Sequence, residues 1–396
     1  VIIAGGTYLE TCRVPTWRRL FGSGARAAAV VGPLSPGSTL HTYVHSEWTK
    51  DVERSMQAFS VGVEIIPIPS AISFDYFHPL SVPRLRPEVL DRNDPIKVKG
   101  PVVVRFGFVE GDALVDAGRA IFDPQTADGL SDFRANGSRA ASLAIVLNEN
   151  EADASVGCSD DDAGMALLES NGADVVIIKR GARGASVYER GKMKRHVDAC
   201  RSDQVFKIGS GDVFTAAFAH FWGEREMSAV EAAEVASRGV AHYVNTRDLA
   251  LPDLPTLRAF PRASVNRAGR VYVAAPFFNL SQRWLVEETT EVLERLGMDF
   301  FSPLHAVGVG RPAEEIAAAD LEGLNGSSAV LALLDGSDPG SVFEVGYARA
   351  LVPPKPVVVF AEQLDGGGLS VLRSAGCEVV GDYVSAIYRA LWAAMS

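Results

Sequence analysis

Cysteine is scarce in this chain. Four occur in 396 residues, Cys12, Cys158, Cys200 and Cys377, with no CxxC pair or other metal-ligand spacing among them. That scatter argues against a disulfide framework and a thiolate zinc site, and points to a reduced, cytoplasmic protein. Long apolar runs are also missing. None approaches the roughly 20 residues a membrane-spanning helix needs, so no membrane association is expected. Positive charge is in the minority, with 38 Lys and Arg against 49 Asp and Glu and a formal net charge of -11. An acidic surface disfavours duplex nucleic acid and anionic membranes as partners. Small anions stay open, because the amides of loops and helix starts bind phosphate on proteins of either sign. The marks of disorder are lacking too, since 47% of residues are hydrophobic and 22% charged, enough to bury a core and stay dissolved. The opening Val1-Ile2-Ile3-Ala4 reads as a strand leading into Gly5-Gly6, not as a signal peptide. With no initial Met, a residue or more is expected to precede it.

What is present is a rhythm. Short apolar runs, among them Val102–Val104, Val175–Ile178, Val271–Val273, Val330–Leu334 and Val357–Phe360, are bounded by Gly, Pro or charge. They read as buried strands of parallel sheets. Helical patterns such as Ala229–Asn245 and Gln282–Leu296 lie between them, giving the βαβ order of doubly wound folds. The rhythm breaks between Leu249 and Gly269, where Pro252, Pro255 and Pro261 fall among arginines with no clear period. The expected organisation is a first domain over 1–258, a linker over 259–269, and a small domain of about five strands and four helices over 270–396. A second irregular region, 46–93, combines a helix near Thr49–Phe59 with strand-like pieces at Val63–Ile68 and Ile72–Phe77. It is either a lid or acceptor-side wall, or a decorated sheet edge.

The first chemical constellation is Gly209-Ser210-Gly211-Asp212, followed by Val213, Phe214, Ala217, Phe218 and Phe221 at helical spacing. A Gly-rich turn feeding a helix leaves unpaired backbone N–H groups which, with the helix dipole, form an anion hole. An aspartate there sits where an acceptor hydroxyl meets a terminal phosphate and can take the hydroxyl proton. The alternative is a glycine turn with an aspartate near the helix cap.

Gly209–Phe214 resembles the GAGD-x-F signature of the ribokinase-like (PfkB) family. Asn148-Glu149-Asn150-Glu151 resembles that family's N-x-x-E motif, and Lys179–Ala185 its strand and Gly turn beside the nucleotide. The resemblance extends to Gly5-Gly6, to Gly22-Ser23-Gly24-Ala25-Arg26 as the sugar-touching stretch, and to Asp123-Pro124-Gln125 as a strand end bordering the active centre. It implies a ribokinase-like αβα sandwich that phosphorylates a sugar or nucleoside hydroxyl with ATP and Mg²⁺. Asp212 would be the base. Gly209, Ser210, Gly211, Asn148, Glu151, Lys179, Gly181 and Gly184 would hold the phosphates and nucleotide, with Glu151 placing Mg²⁺ indirectly. Glu10, Gly22 and Gly24 would touch the sugar. The sequence departs from the pattern in three places. Glu10 stands for the usual aspartate, Arg26 for the usual asparagine, and Phe206-Lys207-Ile208 for D-T-T. The acceptor site is therefore rewritten, for an unusual acceptor or in a decayed kinase kept for binding.

The second constellation is Asp335-Gly336-Ser337-Asp338-Pro339-Gly340-Ser341-Val342-Phe343-Glu344-Val345-Gly346-Tyr347-Ala348. A strand ends in an acidic loop and a helix starts near Ser341, where open α/β sheets place their pockets. Glu344 is either a helix-start charge complementing the dipole or a group facing the pocket; its apolar flanks favour the latter. A carboxylate so placed suits glycosyl transfer, attacking an anomeric carbon while Asp320 or Asp338 protonates the departing base.

The segment resembles the nucleoside 2-deoxyribosyltransferase family through Val271–Phe278, Phe301-Ser302-Pro303, the Asp320 helix and the Asp338–Ala348 block. The resemblance implies a small flavodoxin-like domain with Glu344 as nucleophile, Tyr272 orienting it, Asp320 protonating the base and Asp338 holding sugar hydroxyls. It leaves transferase and hydrolase open. His305 could reach a phosphate or be simply exposed. Trp284 and Phe277-Phe278 could stack on a base or belong to the core. Lys192, Lys194 and Arg195 read as a solvated hairpin.

The whole chain is thus expected to be a bifunctional salvage enzyme acting on nucleosides, nucleotides or sugars, as a homodimer or higher homo-oligomer. A glycosidase with an inactive kinase domain is the alternative within enzymes. A non-catalytic nucleotide-binding or sensing protein is the alternative outside them.

Overall fold

In a computed structural model, residues 1–125, 132–157, 161–265, 268–308, 310, 312–334, 338–362 and 367–396 are described; Cys158 and Asp335-Gly336-Ser337 lie outside them. The chain forms two compact units. One contains residues 1–202 and 206–262, the other residues 203–205 and 263–396. Among the described residues no helix is long and apolar enough to cross a membrane.

The first unit is built on a nine-stranded sheet. Its spatial order is Arg195–Val197, Ala185–Glu189, Val175–Lys179, Arg139–Asn148, Ala113–Asp123, Ile96–Phe106, Ile2–Ala4, Thr39–His45 and Gly62–Ile68. Every pairing from Val175–Lys179 through Gly62–Ile68 is parallel, and the strands Ala185–Glu189 and Arg195–Val197 add antiparallel. Runs such as Val103-Val104 and Leu143–Leu147 are fully buried, as expected of strands covered on both faces. The hairpin carrying Lys192, Lys194 and Arg195 has these three side chains exposed.

The chain order reverses between Ile2–Ala4 and Ile96–Phe106, which makes the carboxyl ends of those strands a switch point. Beside it the irregular region helps build a separate sheet of Trp17–Leu20, Leu9–Cys12, Ser73–Tyr76 and Arg84–Arg86. The long helix Ala229–Thr246 starts in a capping box, Ser228 bonding the Glu231 amide and Glu231 reaching back. Among its described residues the proline-rich stretch holds one short helix, Leu254–Arg258. Asp253 caps it, and Pro255 in its first turn forfeits no helical hydrogen bond.

The second unit has five parallel strands in the order Asp299–Phe301, Arg270–Ala274, Ala329–Leu333, Val357–Phe360, Glu378–Val380. Numbered along the unit this is 2-1-3-4-5, the flavodoxin-like order, with its switch point between the first and third strands. Among the described residues six helices accompany these strands where about four were expected; four are long, Leu280–Arg295, Ala313–Asn325, Pro339–Ala350 and Tyr383–Met395. The other two, Pro303–Ala306 and Gly367–Ser374, are short. Tyr272, Val330, Ala332, Val345 and Val359 meet in its core.

Candidate functional site

In the first unit three neighbouring parallel strands end side by side in Asp123, Asn148 and Lys179. Strand register alone therefore brings together residues distant in sequence. Lys179 Nζ bonds Asp123 Oδ2 at 2.9 Å, and Thr215 Oγ1 donates to the same oxygen at 2.7 Å. Asn148 and Glu151 form a reciprocal capping box on the helix Glu149–Val156, so the N-x-x-E motif has a structural function here. Burial, and then the negative charge of Asp123, push the Glu151 carboxyl up to about 7.

Facing these strand ends, Gly209 adopts a left-handed conformation (φ 76°) and caps the helix Ser210–Phe218. A side chain at Gly209 would collide with the Arg26 guanidinium, and one at Gly211 would come within 3.3 Å of Lys179 Nζ. Asp212, in the first turn, is 7% exposed. Both its oxygens are engaged. Arg26 Nη1 lies 2.7 Å from Oδ2, and Gln125 Nε2 2.8 Å from Oδ1. The same guanidinium bonds both carboxylate oxygens of Glu10. Arg26 is only 1% exposed, and the flanking carboxylates reinforce its charge. Burial raises the Glu10 carboxyl above its ordinary range even though Arg26 pulls it down.

A cleft of about 570 Å³ opens over this network. Glu10, Gly22, Arg26, Gln125, Asn148, Glu151, Gly209, Gly211 and Asp212 line it, with Tyr8, Phe74, Tyr76 and Phe108 as an aromatic side. Phe74 and Tyr76 come from the small sheet, so the irregular region is a wall of the cleft. Gly24, Lys179, Ser210, Gly181 and Gly184 are not part of its lining. Gly24 lets the helix Gly22–Val31 approach the backbone of Gly5, and Gly184 lies against the Val197 carbonyl. Gly181 opens a single turn whose Arg183, with Arg180, pairs with Glu149.

Three features in and around this cleft carry no sequence motif. Gln125, in the strand end Asp123-Pro124-Gln125, is a hydrogen-bond partner of Asp212. Tyr8 donates a 2.6 Å hydrogen bond to Glu110, whose carboxyl burial pushes up to about 7. Lys207, seen only as a departure from D-T-T, donates to Ser210 Oγ at 2.9 Å.

In the second unit Tyr272, on the strand Arg270–Ala274, is fully buried and stacks on Phe301 with ring centroids 5.5 Å apart. Its hydroxyl donates to Glu344 Oε1 at 2.7 Å. Glu344 lies on the helix Pro339–Ala350, which follows the third strand, so the pair spans the switch point. Burial pushes the Glu344 carboxyl up to about 7; Tyr272 opposes the rise, and Asp320 and Asp338 add to it. Burial also raises the Asp320 carboxyl, whose Oδ1 has no hydrogen-bond partner among the described residues. Asp338 caps the helix, accepting from the Ser341 amide at 2.8 Å and hydroxyl at 3.1 Å. The four residues singled out are thus gathered, with Glu344 at their centre.

The other candidates separate. His305 bonds Ser302 Oγ at 2.9 Å and Glu287 at 3.0 Å through its two ring nitrogens. Phe278 is 72% and Trp284 47% exposed, so neither belongs to the core. A cleft of about 380 Å³ at the ends of the first and third strands is lined by Ala275, Pro276, Asn279, Ser281, Gln282, Leu285 and Leu333, without Glu344.

Comparison with known proteins matches both units to families. Residues 117–256 match the model of the pfkB family carbohydrate kinases, and residues 271–373 that of nucleoside 2-deoxyribosyltransferase. Among solved structures, a ribokinase from Thermotoga maritima shares 15% identity, covers 65% of this chain and 98% of its own, and has a TM-score of 0.46. A fructokinase from Vibrio cholerae O395 with bound fructose, ADP and calcium ion shares 13% over 65% and 98%, at 0.48. A Burkholderia thailandensis nucleoside kinase in complex with inosine shares 16% over 65% and 95%, at 0.47. No curated protein sequence matches the chain.

Proposed function

We propose that this chain is a bifunctional enzyme of nucleoside or sugar salvage. Its second domain breaks or exchanges an N-glycosidic bond through Glu344. Its first transfers a phosphoryl group from ATP to a sugar or nucleoside hydroxyl, with Asp212 as base. The observation that carries the reading is the 2.7 Å hydrogen bond from Tyr272 to Glu344. A tyrosine donor fixes one carboxylate oxygen, favours the ionised form and leaves the other oxygen to attack.

In the reaction the free Glu344 oxygen bonds to the anomeric carbon as the carbon–nitrogen bond breaks, and the base leaves with the electron pair. The departing nitrogen takes a proton from Asp320, a role to which burial inclines the carboxyl by raising its pKa. A second base or water then attacks the anomeric carbon as Asp320 takes its proton back from it, the ester to Glu344 breaks, and configuration is retained. Asp338 holds the sugar hydroxyls while capping the helix.

In the first domain Asp212 accepts the acceptor hydroxyl's proton as its oxygen bonds the terminal phosphorus and the bond from that phosphorus to ADP breaks, ADP leaving with the electron pair; the Gly209–Gly211 turn offers amides to the phosphoryl oxygens. The acidic residues beside the cleft fit a divalent cation. Among the described residues Asp123 Oδ1 is buried without a hydrogen-bond partner, and Glu151 is raised by burial and then by the charge of Asp123. Mg²⁺ commonly takes one or two carboxylates, with water and substrate phosphates as its other ligands. When bound, the ion supplies counter-charge to the phosphates.

One observation favours a second reading. Arg26 holds both Asp212 and Glu10, as a first domain that binds ligand without turnover would allow. ATP binding with no ADP formed from any sugar or nucleoside would support it. The main reading is tested by incubating the protein with nucleosides and nucleoside 5′-monophosphates, without ATP, and following free base by chromatography. Base release that vanishes in Glu344→Ala supports it. No release from any member, even with an added acceptor base, overturns the glycosidic assignment.

A further inference from the structure

Two lysines flank the Gly209–Gly211 turn, and they differ in how their charge is balanced. Lys179 is neutralised by Asp123 at 2.9 Å and lies also in the field of Glu151 and Asp212. Lys207 has no carboxylate within ion-pair distance among the described residues, and its hydrogen-bond partner is the uncharged hydroxyl of Ser210. It is nevertheless half-buried, following the buried Phe206 in sequence and bonding the first residue of the helix Ser210–Phe218. Burying an ammonium without a counter-ion is unfavourable, and proteins hold such groups where an anion arrives from outside. The adjacent helix start points the same way, since the amides of Gly211 and Asp212 have no acceptor one turn back.

Resting on the kinase reading above, we infer that Lys207 is a donor-binding residue: its ammonium, with the amides of the Gly209–Gly211 turn, grips the terminal phosphate of a polyphosphate donor. Lys179, held by Asp123, is the fixed cation of the site, and Lys207 is the one whose charge the ligand completes. The donor anion is the partner because Lys207 bonds Ser210, in the turn whose amides are offered to the transferred phosphoryl group.

The free-state properties of Lys207 follow from this imbalance. Burial, and then repulsion from Lys179, lower its pKa to about 8. Lys179, from the strand Val175–Lys179, is the charged group that acts on it; Asp123, Glu151 and Asp212 act on Lys179. A phosphate beside Lys207 restores its pKa, so binding is linked to a proton. Donor affinity should be level below about pH 8 and fall by up to about tenfold per pH unit above it.

The test is calorimetric titration of the full-length protein with Mg²⁺-ATP and, separately, inorganic pyrophosphate. Both share the phosphate chemistry, and the two arms tell a nucleotide donor from an inorganic one. Lys207→Met should weaken whichever donor binds by about tenfold to a hundredfold, the loss of one charge-assisted contact. It should also abolish the decline above pH 8, while Lys207→Arg retains affinity with no decline. Without ligand, Lys207→Met should melt no lower than the wild type, since it removes an uncompensated buried charge; this separates a binding role from a structural one. Unchanged affinity and pH dependence in Lys207→Met, with donor bound by the wild type, would overturn this inference and leave the kinase reading intact. A wild type that binds neither donor would overturn both.

Discussion

Arg26 and Asp212 are 186 residues apart in sequence and 2.7 Å apart in the structure, with Glu10 on the other side of the same guanidinium. Two buried carboxylates share one cation, so its removal leaves both uncompensated. Breaking a buried pair by deleting one partner costs about 3–5 kcal/mol. Arg26→Met should therefore lower the melting temperature of the full chain markedly. Adding Glu10→Gln should recover part of the loss, because one stranded charge goes with it. A double variant no more stable than the single would show that Arg26 contributes packing and not charge.

Tyr272→Phe removes the donor to Glu344 while keeping the ring that stacks on Phe301. Hydrogen bonds to a charged group are worth about 1.5–3 kcal/mol, so base release should slow by about tenfold to a hundredfold. The sign of the pH effect is also fixed. Glu344 must be ionised to attack, its carboxyl is already raised to about 7, and Tyr272 is the group that holds it down. The acid limb of kcat/KM should thus lie near pH 7 in the wild type and move to higher pH in Tyr272→Phe. A slower enzyme with an unmoved limb would argue against Glu344 as the titrating group.

Asp338 serves as helix cap and as a negative neighbour of Glu344, and two substitutions part these roles. Asn is as good a cap as Asp, whereas Ala forfeits about 1 kcal/mol. Asp338→Asn should therefore keep the melting temperature, and the loss of one negative charge should move the acid limb to lower pH. Asp338→Ala should share that movement and also melt lower. If Asp338 holds the sugar, both variants raise KM; an unchanged KM would remove it from the sugar site.

Much of this was legible in the sequence for a physical reason. Apolar runs of fixed length and period reveal buried parallel strands, the loop before Glu344 follows such a strand, and the turn before Asp212 shows itself by its glycines at the start of a helical pattern. Tyr272 was ambiguous, since a tyrosine on a buried strand is ordinarily core; it is both, with its ring in the core and its hydroxyl on Glu344. Pairings across long separations were not legible. Arg26 and Lys207 were visible as unusual letters, yet nothing local tells that one is neutralised by two carboxylates and the other by none. The Tyr8–Glu110 pair carries no motif at all, because Glu110 lies in a loop whose burial follows only from the fold.

That pair gives the last prediction. Glu110 is 1% exposed, and burial pushes its carboxyl up to about 7, with Tyr8 opposing the rise. A carboxyl raised on folding is neutral in both states below about pH 4.5, so there it has no effect on stability. As the pH climbs towards 7 the unfolded chain ionises freely while the folded one resists, and stability is lost; above 7 the loss is complete, at most about 3 kcal/mol for this group. Glu110→Gln keeps an acceptor for Tyr8 without the charge. It should match the wild type in melting temperature near pH 4.5 and exceed it by several degrees at pH 8. The raised Glu151 and Glu344 carboxyls act in the same direction, so the wild type itself should melt lower at pH 8 than at pH 5.5. A Glu110→Gln advantage of the same size at both ends of the range would mean that Glu110 is not the titrating group.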